Sequence, residues 1–344
     1  MTRNTLDAKL FPQGIPVLWC PVITPFSSPG VPDIQRLHAL LEEIAPSVRG
    51  ILIPGSTGEG WEMSDQDILS LLEGVLPKST SLGQHLLIGA LKPSTEETIE
   101  SINSTLRWLL RHTGAADAHA AMDTCAVAGF TICPPAGSNL TQKQLCGGLE
   151  SVLRTGVPAA LYQLPQVTGN EIAPETVQHL AEKYENFFLF KDTSGTDTVS
   201  LSMLDFHGVF FVRGAEGSYA NWHKFGGGPY DGFLLSTANS FSRELGQVLR
   251  MLEAGDRKEA ETLSNRITAC VNEVFPQAGK VGAGNAFANA NKLFDHLRAW
   301  GPEAEQKPGP MLYGGMRLGT DLISLARTAM ESNGFDLSRG YLQV

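Results

Sequence analysis

The chain has 344 residues, 42% hydrophobic and 18% charged, which suits one large α/β domain or two ordinary ones with a sizeable core. A formal net charge of −10 excludes the basic footprint of a nucleic-acid-binding protein. Five irregularly spaced cysteines form no CxxC, and no apolar run approaches the roughly 18 residues of a membrane span, so a cytoplasmic protein with neither disulfide framework nor zinc knuckle is expected.

Apolar, β-branched runs alternate with helical patterns. The first run is "PVLWCPVIT" (16–24), followed by a helix from Asp33 with Ile34, Leu37, Leu41 and Ile44 on one face. "GILIPG" (50–55) leads into a helix capped by Ser64 and Asp67, and "HLLIGA" (85–90) into one whose capping box is Ser94 to Glu97. "AGFTIC" (128–133) is the fourth run, with Thr141 and Gln144 capping its helix. "PAALYQ" (158–163) is the fifth, and Pro174 stands where the next helix begins. "FFLF" (187–190) precedes a helix expected around 197–206. "VFFVRG" (209–214) and "DGFLLS" (231–236) complete the set before a helix at 242–253.

Eight strands, each followed by a helix, predict parallel pairing with right-handed crossovers, and strands so uniformly apolar are buried on both faces. A (β/α)8 TIM barrel over 1–253 fits the count. An open doubly wound sheet is the alternative, but the first run leads into "TPFSSPG" and not into a GxGxxG turn. Residues 254–344 read as a C-terminal helical region packed on the barrel, with helices at 256–275, 284–299 and 318–333 and a polar connector at 301–310. The segment 111–129 looks stretched.

In such a barrel the C-terminal ends of the strands build the active site. There lie "GSTGEG" (55–60), Tyr162, Lys191, Gly214, Glu216 and Ser236. Lys191 carries the most information. Apolar walls disfavour its charged form, and a neutral amine attacks a ketone to give a Schiff base. The competing reading is an ion pair with Asp192. Tyr162 could pass protons beside it, or simply close the barrel top. The N–H groups of "GSTGEG", with the hydroxyls of Ser56 and Thr57, could grip a carboxylate. Glu59 reads as a structural acceptor for loop N–H groups. Scattered histidines, with no HExxH and no Cys/His cluster, give no metal site, and no cofactor is expected.

"GSTGEG", "YQLPQVTG", "FKDTSG" and "GFLLSTAN", in this order and each after the right strand, resemble the dihydrodipicolinate synthase / N-acetylneuraminate lyase family of class I aldolases over roughly 12–300. The resemblance implies a barrel with C-terminal helices, assembled as a homotetramer or dimer. It implies Lys191 as the Schiff-base lysine, Tyr162 as the catalytic tyrosine and Ser56 and Thr57 as the grip on a pyruvate-like carboxylate, with Thr57 relaying protons. It extends substrate contact to Thr193, Gly214, Glu216, Leu234 and Ser236. Three places depart from the pattern. Val167 stands where dihydrodipicolinate synthases place an arginine. Pro135 and Ala136 stand near their relay tyrosine. Gly217 replaces an acidic residue of sialate lyases.

The expected activity is a metal-independent lyase that cleaves or forms pyruvate from a 2-keto-3-deoxy sugar acid. The alternatives are dehydration of such an acid, a dihydrodipicolinate synthase-like condensation, a carboxylate-pair hydrolase using Glu59 and Glu216, and a binding member without turnover. The expected partner is a small 2-keto acid, with no nucleic acid and no membrane.

Overall fold

A computed structural model describes residues 2–343. Eight parallel strands close on themselves, β1 (Leu18–Pro21) pairing with both β4 (Gly50–Ile53) and β10 (Gly232–Leu234). Between them run β5 (His85–Ala90), β6 (Val127–Ile132), β7 (Ala159–Gln163), β8 (Phe187–Asp192) and β9 (Phe210–Arg213). A small antiparallel hairpin, β2 (Phe26–Ser28) and β3 (Val31–Pro32), follows β1.

The barrel strands are buried on both faces, as their unbroken apolar runs require. Inward residues form a lower apolar layer that includes Trp19, Leu52, Leu87, Leu189, Val212 and Leu234. Trp19 is the largest of these. Gly50 lacks a side chain where a Cβ would overlap its indole ring. Helix α1 (Arg3–Leu10), unforeseen in the sequence, plugs the opposite end from the strand C-termini. Phe11 packs edge-on against Trp19 at 5.9 Å. Arg3 satisfies its buried guanidinium on the carbonyls of Ala181, Tyr184, Phe187 and His207.

The outer helices are α2 (Ile34–Ile44), α3 (Asp65–Ser81), α4 (Thr95–Thr113), α5 (Ala118–Thr124), α6 (Gln142–Leu153), α7 (Pro165–Thr168) and α8 (Pro174–Lys183), then α9 (Thr198–Leu201), α10 (Tyr219–Trp222) and α11 (Ala238–Ala254). Asp33, Ser64 and Thr141 cap their helices, the last two in reciprocal boxes. Ser94 also caps α4, but Glu97 returns its carboxylate to the serine hydroxyl and not to the N-cap backbone. The stretched segment after α4 contains the extra helix α5.

The helix expected at 197–206 is only the four-residue α9. Its leading residue, Asp197, sits at φ 54° with its carboxylate held by Arg213 and Tyr230, so it cannot cap a longer helix. Helix α12 (Arg257–Ala278), α13 (Ala286–Trp300) and α14 (Thr320–Ser332) follow, with a short 3-10 turn at Gly301–Gln306. Their apolar faces join those of the outer barrel helices in one core. Asp256, at the N-cap of α12, makes no side-chain cap. Among the described residues no helix is long and apolar enough to cross a membrane.

Candidate active site

Strand β8 alternates in the way that decides the site. Its register with β7 sets Lys191 beside Tyr162. Both side chains point into the barrel above the apolar layer, and both are nearly fully buried. Lys191 Nζ lies over the phenol ring, 3.8 Å from its centroid. Asp192 points the other way. Its carboxylate accepts from Ser194 N at 2.9 Å and Ser194 Oγ at 2.6 Å. Among the described residues no carboxylate pairs with Lys191, so the ion pair with Asp192 that the sequence left open does not form.

Burial pulls the Lys191 amine from its ordinary range to about 7, opposed by the nearby Cys133, Glu216 and Cys20. This favours the free base, the nucleophilic form, far more than in an exposed lysine. Burial pushes the Tyr162 phenol up, Cys133 adds to this, and the hydroxyls of Thr193 and Ser56 beside it pull it back. It therefore stays a neutral proton donor.

Loop 55–60 closes on itself through Gly58 N and Gly60 N, both donating to the Gly55 carbonyl. Gly58 is required because a Cβ there would sit 2.7 Å from the Val22 carbonyl. Ser56 Oγ accepts from Trp61 Nε1 at 2.9 Å, and its carbonyl from Asn285 Nδ2 at 2.9 Å. Thr57 is buried next to it. Glu59, at φ 61°, turns away from the barrel, pairs with Lys292 of α13 and accepts from Tyr313 N at 2.9 Å. It is a structural acceptor, as its loop suggested.

Gly214 ends β9 against the lysine. A Cβ there would lie 2.8 Å from Lys191 Cε and would overlap Thr193 Oγ1, so the missing side chain makes room for the amine. Thr193 is buried, with its hydroxyl beside the Tyr162 phenol. Glu216 and Ser236 are close to the site but engaged with each other. The carboxylate accepts from Ser236 Oγ at 2.5 Å, Thr237 Oγ1 at 2.7 Å, Thr237 N at 3.1 Å and Tyr219 OH at 2.9 Å. Leu234 lies in the lower apolar layer and not among these polar groups. Glu59 and Glu216 thus serve two separate networks and do not form a pair facing a shared substrate.

Two contributors escaped the sequence reading. Cys133, at the end of β6, packs with Tyr162, Leu91 and Leu164 under Trp61. Thr131, two residues below it, is buried with an unpartnered hydroxyl. Both continue the alternation of the fourth run, and that period was the available signal. Gly217 sits at φ 90°, a conformation that favours glycine over the acidic residue expected there. Val167 is exposed on α7, and Pro135 and Ala136 belong to a loop pinned by Asn170. One grouping was unforeseen: Cys146, Glu150 and His179 converge on α6 and α8, but Glu150 is held there by Lys183 at 2.6 Å.

The model of the dihydrodipicolinate synthetase family matches residues 111–284, just over half of the chain. The chain belongs to this family. Its members are lyases. A 4-hydroxy-tetrahydrodipicolinate synthase of Exiguobacterium sp. (strain ATCC BAA-1283 / AT1b) is 26% identical over 262 residues, 75% of this chain and 82% of that protein. One of Wolbachia pipientis subsp. Culex pipiens (strain wPip) is 32% identical over 189 residues, 53% of this chain and 57% of that protein. Among solved structures, the family fold recurs in YagE, a prophage protein from E. coli K12 crystallised with pyruvate. The TM-score is 0.71 at 19% identity, over 92% of this chain and 97% of that one. It recurs in the 4-hydroxy-tetrahydrodipicolinate synthase of Methylacidiphilum fumariolicum SolV, with a TM-score of 0.71 at 18% identity over 93% and 96%.

Proposed function

We propose that this chain is a class I lyase that binds a 2-keto acid as a Schiff base on Lys191 and releases pyruvate from a 2-keto-3-deoxy sugar acid, or runs that reaction in reverse. The observation that carries the proposal is a buried amine, brought to about 7, against a neutral phenol with no carboxylate to hold it charged.

In this mechanism Lys191 Nζ attacks C2 of the keto acid. Tyr162 gives a proton to the resulting alkoxide, and water leaves to form the protonated imine. The bond between C3 and C4 then breaks, its electron pair moving into the iminium. The phenolate takes the C4 hydroxyl proton as the aldehyde departs. Reprotonation at C3 and hydrolysis return pyruvate and the free amine. Ser56 and Thr57, through their hydroxyls and their own N–H groups, hold the carboxylate. Thr193, buried beside the phenol, meets a distal hydroxyl. Glu216 and Ser236 hold one another and shape the far wall.

Condensation of the kind named for the synthase relatives is less well supported, because Val167 is 44% exposed and apolar where a second carboxylate would need a cation. Dehydration of the same acid would start from the same imine. A binding role without turnover draws support from Pro135 and Ala136, which stand near the relay tyrosine's place. We place the protein in the cytoplasm as a homo-oligomer, a tetramer or dimer. Screening 2-keto-3-deoxy acids for pyruvate release, beside a Lys191→Ala control, tests the assignment. Release lost in the control supports it. Binding of 2-keto acids without release would favour the non-catalytic role.

A further inference from the structure

A cavity lies beside the turn after β1, outside the ring of strands. It is enclosed by the turn after β1, by α2 and α13, and by the connector before α14, and its volume is about 450 Å³, within the size range of small-molecule sites. Its walls are unusual for a chain of net charge −10. Four cationic side chains, Arg36, Lys292, Lys307 and Arg317, face two carboxylates, Asp33 and Asp295. Asp295 is taken by Arg36. Asp33 accepts from Arg36 N at the start of α2. Arg317 has no carboxylate partner among the described residues and donates only to the Gly309 carbonyl at 2.7 Å. Flat apolar walls come from Phe26, Trp300 and the prolines at 25, 308 and 310.

Lys292 links this cavity to loop 55–60 through Glu59. Its ammonium stands over the Phe26 ring at 4.4 Å and donates to the Met311 carbonyl at 2.8 Å, both lining residues. On its other side it pairs with Glu59, two residues from Thr57. Both members of that pair are almost wholly buried, so a competing anion would act in a medium that screens it poorly.

We propose that this cavity is an effector site for a small aromatic monocarboxylate, and that the occupant acts on keto-acid binding by competing with Glu59 for Lys292. The ring lies between Phe26 and Trp300, and the carboxylate meets Arg317 and Lys292. Drawing Lys292 from Glu59 frees the carboxylate that fixes loop 55–60, so the occupant weakens the grip of Ser56 and Thr57. The kinetic half of the proposal rests on the Schiff-base reading; the binding half does not.

Benzoate is the probe, with benzamide as its neutral isostere. Calorimetry on the whole protein should show saturable benzoate binding, with benzamide and the exposed-residue variant Arg317→Gln each binding about 10-fold or more weakly. Adding benzoate should raise KM for the 2-keto acid by about 5-fold or more while kcat changes less, a coupling typical of linked sites. In Lys292→Met the KM effect should vanish. Arg317→Gln keeps the question open to test should Lys292→Met fail to fold. No saturable benzoate binding overturns the site, as does equal affinity for benzamide or unchanged affinity in Arg317→Gln. Benzoate binding with an unaltered KM overturns the coupling and leaves the Schiff-base reading untouched.

Discussion

Lys191 Nζ sits 3.8 Å from the centre of the Tyr162 ring, while the next residue along β8, Asp192, turns its carboxylate out of the barrel towards Ser194. The two-residue period of a strand is what separates the amine from the nearest acid in sequence. A shift of one residue in register would bring the acid inside and abolish the chemistry.

The amine's burial has a pH consequence. Lys191 titrates at about 7, and imine formation needs the free base, so kcat/KM should rise with pH through an inflection near 7 and then level off. A pH profile on a 2-keto-acid substrate checks this. A profile flat from pH 6 to pH 8 would be at odds with a buried, unpaired lysine.

The same shift costs stability. The unfolded chain binds the proton with the ordinary lysine affinity and the folded chain does not, so the unfolded state carries more protons between about 7 and 10.5, and stability should rise with pH across that window. Lys191→Met removes the penalty. It should stabilise the protein at neutral pH by roughly 3–5 kcal/mol, read from urea unfolding, while ending turnover.

Gly214→Ala should crowd the lysine and the Thr193 hydroxyl without removing a functional group. The added methyl would press on Lys191 Cε at 2.8 Å. Displacing the amine by about an ångström should lower kcat/KM by about 100-fold, with the circular dichroism spectrum unchanged.

Lys292→Met strands Glu59 as a buried unpaired carboxylate. Urea unfolding should show a loss of about 3–5 kcal/mol, and adding Glu59→Gln should recover much of it because the uncompensated charge is gone. Equal losses in single and double variants would show that the pair's charge is not what matters there.

The barrel was legible because its strands are apolar runs, and α2, α3, α4 and α6 behind four of them carry side-chain caps. "FFLFKD" announced both β8 and the residue that matters most on it. The long-range polar partnerships were not legible. Glu59 and Lys292 lie 233 residues apart, and Arg3 finds carbonyls about 180 residues away. Nothing local in either stretch encodes those partners. Glu216 and Ser236 looked free for substrate because their hydrogen bonds to one another exist only once β9 and β10 are side by side. Helix α5 escaped notice because "AHAAMDT" is short and carries no apolar stripe.

The most direct test of the central claim is borohydride reduction in the presence of pyruvate, followed by peptide mass mapping. A reduced pyruvyl adduct on the peptide holding Lys191, absent from Lys191→Ala, is the predicted result. A protein that gains no adduct from pyruvate or any other 2-keto acid, or gains it on a different lysine, would contradict the account.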